Sequence, residues 1–249
     1  MTALLPEFTP VAWVLLAVAA LIVGLSKSSM PGANTISIAI FASLMPAKES
    51  TGALLLLLIV GDLVALSMYR QHADWRALIR LAPAVLAGLL LGVVFLALVG
   101  DTGVQRVIGI VLIALVGITI WRRAARRGGT GVGLFGRLAY GSLGGFTTMV
   151  ANAGGPVMSM YFLAARMPVR TFLGTAAWFF AIINLTKVPF SIGLGLITVE
   201  TLLMDLLLVP AVLLGALCGR WIAGRISQQL FERAVLALTV LGALYLIVA

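Results

Sequence analysis

The sequence predicts an all-α, polytopic helical membrane protein made of two inverted repeats, each a short-helix or re-entrant hairpin followed by three transmembrane helices. Three observations carry that prediction. Apolar residues fill 62% of the 249 positions and charged residues only 10%, which leaves too little polar surface to cover a soluble core of this size. Apolar segments come as five, a hydrophilic break, and five more. The two sets also match residue by residue.

In chain order, the first five segments run from Val11 to Leu25, Ala33 to Met45, Ala53 to Tyr69, Ala77 to Val99 and Val104 to Trp121. The second five run from Leu134 to Val150, Val157 to Ala165, Thr171 to Phe190, Thr201 to Ile222 and Ala234 to Val248. At one fixed offset Gly32 pairs with Gly154, Pro46 with Pro168, Lys48 with Arg170, Gly52 with Gly174 and Asp62 with Asn184. After a small insertion, Pro83 pairs with Pro210, Gly88 with Gly215, Gly92 with Gly219 and Arg106 with Arg233. So many pairs in two registers indicate an internal duplication: residues 1–123 form the first repeat, 124–133 a basic cytoplasmic linker, and 134–249 the second repeat.

The net charge of +9 does not call for a nucleic-acid partner, because the basic residues sit at the ends of apolar runs, as topology determinants do. The loop with Arg122, Arg123, Arg126, Arg127 and Arg137 is expected inside. Alternation then puts Arg70, Arg76 and Arg80, Arg166 and Arg170, and Arg225 and Arg233 on the same side, with Asp101 and Glu200 opposite and both termini outside. An odd number of crossings per half makes the repeats inverted, a common construction in secondary transporters. Met1 to Pro10 holds Glu7 and no basic residue, which is not a secretory pattern, so the first apolar run is expected to be retained. Cys218 lies in an apolar run and reads as ordinary packing.

The first two segments would rise only about 20 to 22 Å as helices, against a hydrocarbon core of about 30 Å. They read as half-spanning arms of a hairpin, with Leu134 to Val150 and Val157 to Ala165 as the equivalent pair. The hairpin tips are polar and glycine-rich, from Gly24 to Thr35 and from Gly144 to Pro156. Irregular backbone at membrane depth is tolerated only where protein or a water-filled cavity satisfies it. Each tip leads to a helix opening with proline, Pro31 or Pro156, which suits a first turn. Two helix starts converging there would form an anion site from backbone N–H groups and positive dipole ends. Ser26, Ser28, Ser29, Asn34, Thr35, Thr147, Thr148 and Asn152 are candidate side-chain donors, and Gly32, Gly154 and Gly155 allow close approach. Small residues of this kind also serve plain helix packing.

Lys27 is the charged residue of the first tip and a candidate for contact with the anion. Lys187 reads as lying near the outer end of its segment, where its ammonium could snorkel. Asp62 interrupts an apolar run and needs either a proton or a cation such as Lys27. It is thus either a proton-coupling group or half of a structural ion pair, with Asn184 and Lys187 as further polar positions. No metal-ligand spacing, nucleophile elbow, P-loop or dinucleotide motif occurs, so neither a cofactor nor enzymatic catalysis is expected. The basic cluster suits anionic lipid, and no feature assigns an oligomeric state.

Gly24-Leu25-Ser26-Lys27-Ser28-Ser29-Met30-Pro31-Gly32, then Pro46 to Gly52 with Gly61-Asp62, and Gly144 to Met149 through Asn152-Ala153-Gly154-Gly155-Pro156 with Asn184 and Lys187, resemble the sulfite exporter TauE/SafE family, also called toluene sulfonate uptake permeases. The resemblance spans essentially the whole chain. It implies a bacterial inner-membrane carrier of sulfite, sulfonates, sulfoacetate, thiosulfate or related anions, driven by an ion gradient. It also implies eight helices rather than ten segments. The sequence thus points to a secondary transporter exporting a small sulfur-containing anion, with protons as a candidate coupling ion. An anion channel with the same tips, and a scaffold binding partners through its basic loop, are the alternatives.

Overall fold

The computed structural model describes residues 8–29, 33–104 and 133–225, with isolated positions 6, 106, 107, 110, 114, 227, 230, 233 and 237. The expected segments Val104–Trp121 and Ala234–Val248, the linker, and the tip residues Pro31 and Gly32 lie wholly or largely outside the described residues.

Among the described residues the fold is carried by the helices α1 (Pro10–Ser28), α2 (Asn34–Leu44), α3 (Ala47–Tyr69), α4 (Trp75–Leu98), α5 (Leu134–Ala151), α6 (Gly154–Ala164), α7 (Val169–Gly193) and α8 (Val199–Ala223). Their starts follow local chemistry. The Thr9 hydroxyl accepts from Ala12 N at 3.2 Å with Pro10 opening α1, the Asp74 carboxylate accepts from Ala77 N at 3.0 Å, and Thr198 with Thr201 closes a reciprocal cap on α8. Helices α1, α3 with the turn through His72, α4, α7 and α8 are long and apolar enough to cross a membrane. No strand occurs among the described residues.

The hairpins differ from the expected form. Helix α1 has 19 residues and α5 has 18, so these first arms rise about 28 and 27 Å; α2 and α6, with 11 each, rise about 16 Å. Only the second arm of each hairpin is short. Gly24 to Ser28 and Gly144 to Ala151 are helical, so α1 continues to within one residue of Ser29 and the second break narrows to Asn152–Ala153. The first break follows hydroxyls bonding back into their own helix, Ser28 Oγ to Gly24 O at 3.0 Å and Ser29 Oγ to Leu25 O at 2.7 Å. The second falls at Asn152, whose φ of 54° is left-handed, a conformation asparagine tolerates.

The glycines that suggested irregular tips serve packing instead. Helix α1 lies along α8, and α4 along α5. A Cβ on Gly24 would strike the Val212 carbonyl, and one on Gly215 the Leu21 carbonyl. In the other pair, a Cβ on Gly145 would strike the Val85 carbonyl, and one on Gly88 the Ser142 carbonyl. Backbones therefore touch directly at both seams. Helix α3 packs on α7 and α8, and α1 with α2, like α5 with α6, closes a hairpin. Cys218, expected to be packed, is exposed on α8.

Candidate functional site

Where α1 ends against the middle of α3, the Lys27 stem passes over Gly61, whose missing Cβ would stand 2.9 Å from Lys27 Cγ. The ammonium reaches Asp62 Oδ1 at 2.7 Å and stands 4.3 Å from the centre of the Phe180 ring. Asp62, 1% exposed, also accepts from Asn184 Nδ2 at 2.6 Å through Oδ2. The sequence pairing of Asp62 with Asn184 is thus a direct contact across the α3–α7 interface.

From Asn184 the polar chain continues along α7. Lys187 is fully buried; it donates to Thr148 O at 2.6 Å and to Asn152 Oδ1 at 2.5 Å, with Asn184 Oδ1 at 3.5 Å. The expectation of an outer-end, snorkelling lysine is therefore wrong. Helix α7 runs through Pro189 to Gly193, which puts Lys187 inside the bundle. Its partners are neutral oxygens; the carboxylate within ion-pair distance of a cation among the described residues is Asp62, held by Lys27. The described cluster thus sets two lysines beside one carboxylate, of which only Lys27 contacts it, an arrangement that suits an added negative charge. Asn152 Nδ2 finishes the chain by donating to Thr51 O at 2.9 Å, and Asn34 Nδ2 reaches Asn152 O at 3.5 Å.

These groups enclose one small cavity. The first break contributes Ser26, Lys27 and Asn34, the second Thr148, Asn152 and Gly155, and Leu58, Phe180 and Asn184 close the sides. Its volume is about 10 Å³, near the least that holds one water. Asn34 and Gly155 belong to the first turns of α2 and α6, and neither helix has a side-chain cap. Lys27 and Asn152, predicted on separate halves, thus face one space. Other candidates lie outside it. Ser28 and Ser29 bond within α1, the Thr147 hydroxyl faces Gly144 O at 3.4 Å, Gly154 packs on Thr148, and Thr35 is buried beside the break. Gly32 falls outside the described residues.

Sequence reasoning missed Thr51, Phe180 and Asp205. Thr51 acts through its backbone oxygen, which no side-chain pattern reveals. Phe180 looked like one more apolar residue. Asp205 is buried, yet sits early in an apolar run. A wider cavity of about 300 Å³, lined by Asp74, Arg76, Arg80, Arg137 and Tyr161, adjoins α6 at Tyr161, about 9 Å along the helix from Gly155.

A family model described as sulfite exporter TauE/SafE matches residues 16–246. No curated protein and no solved structure matches the chain. Apolar helices long enough to cross a membrane, together with a match over nearly the whole sequence, make this an integral membrane protein of a transporter family: the chain belongs to the sulfite exporter TauE/SafE family.

Proposed function

We propose that the protein is a secondary transporter exporting a small sulfur-containing oxyanion or organosulfonate across the bacterial inner membrane, by alternating access around the cavity between the two helix breaks. The observation that carries this is the meeting of Lys27 and Asn152, from different halves, in one buried space whose walls include the uncapped starts of α2 and α6. Uncapped N–H groups, the Lys27 ammonium and hydroxyl and amide donors form an anion-binding set, with the Lys187 ammonium behind Asn152. Asp62 holds Lys27 in place as its fixed counter-ion. A cavity of about 10 Å³ is too tight for an oxyanion, so binding requires the walls to part, as a carrier requires and an open pore does not.

The pattern of helix contacts supports two related halves, which the odd number of crossings per half would make inverted. Exchanging α1 with α5, α2 with α6, α3 with α7 and α4 with α8 turns the α1–α8 contact into α5–α4 and the α1–α2 contact into α5–α6, while α3–α7 maps onto itself. The arginines lining the wider cavity then form a cytoplasmic antechamber that gathers anion, and exposed apolar faces such as Leu206, Leu213 and Leu217 meet lipid.

Proteoliposomes test the reading. Purified protein should catalyse uptake of one or more of sulfite, thiosulfate, sulfoacetate, taurine or sulfate, and an imposed pH gradient should concentrate that anion above its external level. Lys27→Ala and Asn152→Ala should cut the flux. Equilibration without concentration would establish a channel, and wild-type flux in both variants would remove the cavity from the path.

A further inference from the structure

Asp205 lies in the second turn of α8, on the face that also carries Thr201, Met204, Leu208 and Val212. That face packs against α1 and α3. The residue is 3% exposed, neither carboxylate oxygen has a hydrogen-bond partner among the described residues, and no described ion pair includes it. Helix packing does not explain the carboxylate: the register that pairs Pro83 with Pro210 places Leu78, a buried leucine, at the equivalent point of the first half.

Among the described residues, the charged groups on the elements packed against α8 are committed elsewhere or lie toward the surface. Helix α1 has none from Pro10 to Ser26, and its Lys27 is paired with Asp62. On α3, Glu49 is exposed, Lys48 is half-buried in the first turn, and Asp62 holds Lys27. The segment 194–198 has none, and on α8 itself Glu200 is exposed and Arg220 lies near the far end. A lone carboxylate in such surroundings is tolerated with a proton bound, or with water or a cation admitted to it.

We propose that Asp205 is the proton-binding group of the transport cycle, spatially separate from the anion cavity. The proposal rests on the transporter reading of that cavity. Asp205 takes a proton from water on one face when α8 shifts from its neighbours, carries it as a neutral acid while the helices are packed, and returns it to water on the other face. Helix α1 provides the link to the anion. It meets α8 backbone to backbone at Gly24 and Gly215, with Gly219 close against Leu25, and residue numbers rise together along this seam, so the two helices run in the same direction. Asp205 precedes Gly215 by about 15 Å of helix, toward the start of α1, whereas Lys27 lies at its end. A movement of α8 that exposes Asp205 therefore shifts the helix that presents Lys27 to the anion.

Two measurements on the full-length protein test this. In the infrared spectrum of purified protein, the C=O stretch of a protonated carboxylic acid should be present in wild type and lost in Asp205→Asn. In proteoliposomes with radiolabelled sulfite as probe, wild type should accumulate sulfite about tenfold per coupled proton for each unit of imposed pH gradient. Asp205→Asn should retain sulfite exchange between equal concentrations at both faces but reach no accumulation, and Asp205→Glu should restore part of it. Accumulation equal to wild type in Asp205→Asn overturns the proposal, and so does an unchanged infrared band. A wild type that neither exchanges nor accumulates any anion of the panel overturns the transport reading instead, while the infrared band still decides whether Asp205 holds a proton.

Discussion

The ammonium of Lys187 stands 2.5 Å from the side-chain oxygen of Asn152, which joins a lysine on α7 to the left-handed residue that breaks the second hairpin. A cation held by neutral oxygens is poised for an anion and burdens the fold by its desolvation. Lys187→Met should therefore raise KM for the transported anion at least about tenfold, the value of one charge-assisted hydrogen bond, while Tm in detergent stays level or rises. Uptake kinetics and thermal unfolding on the same preparation check both arms; an unchanged KM would take Lys187 out of the binding site.

The Lys27–Asp62 pair behaves oppositely. Asp62→Leu leaves a buried ammonium without its counter-ion and should cost about 3–5 kcal/mol of stability. Adding Lys27→Met should recover most of that loss without recovering transport. A double-variant cycle scored by unfolding and by flux separates the structural role of the pair from its role in binding.

At Asn152 backbone and side chain can be tested apart. Its φ of 54° suits glycine, so Asn152→Gly should keep the break while removing the contacts to Lys187 and Thr51. Asn152→Val should lose those contacts and add left-handed strain of about 1–2 kcal/mol. Flux should fall in both variants, with the larger fall in Tm in the valine variant.

The glycine seams give a prediction independent of any substrate. Gly24→Ala and Gly145→Ala each drive a methyl into a backbone carbonyl of the facing helix, and overpacking of this kind costs about 1–3 kcal/mol. Gly100→Ala, which meets nothing within 4 Å, should leave Tm unchanged. Equal Tm in all three variants would show that the seams are loose.

Composition and apolar run lengths revealed the helical membrane class because lipid imposes a hydropathy requirement that local contacts cannot disguise. The repeat register makes Asp62 and Asn184 equivalent positions without indicating that they touch, and the structure makes them hydrogen-bonded neighbours. The extent of the breaks was not legible. Glycine marks an irregular backbone and a close helix crossing alike, and Gly24 and Gly145 proved to be the second. Lys187 reads as terminal because the apolar run stops at Phe190, whereas α7 continues to Gly193 and packs Lys187 inside. Asp205 went unnoticed because its neighbours in sequence form an apolar run; only the packing of α8 shows that its side chain is sealed from solvent.

The tightness of the central cavity, about 10 Å³, bears on the economy of the whole cell. On the proposed transport reading, a cavity that in this arrangement has room for about one water holds no file of waters between its described walls along which small ions or hydronium would pass. Many copies could then reside in an energised membrane without draining the voltage and acidity difference that power its other machines.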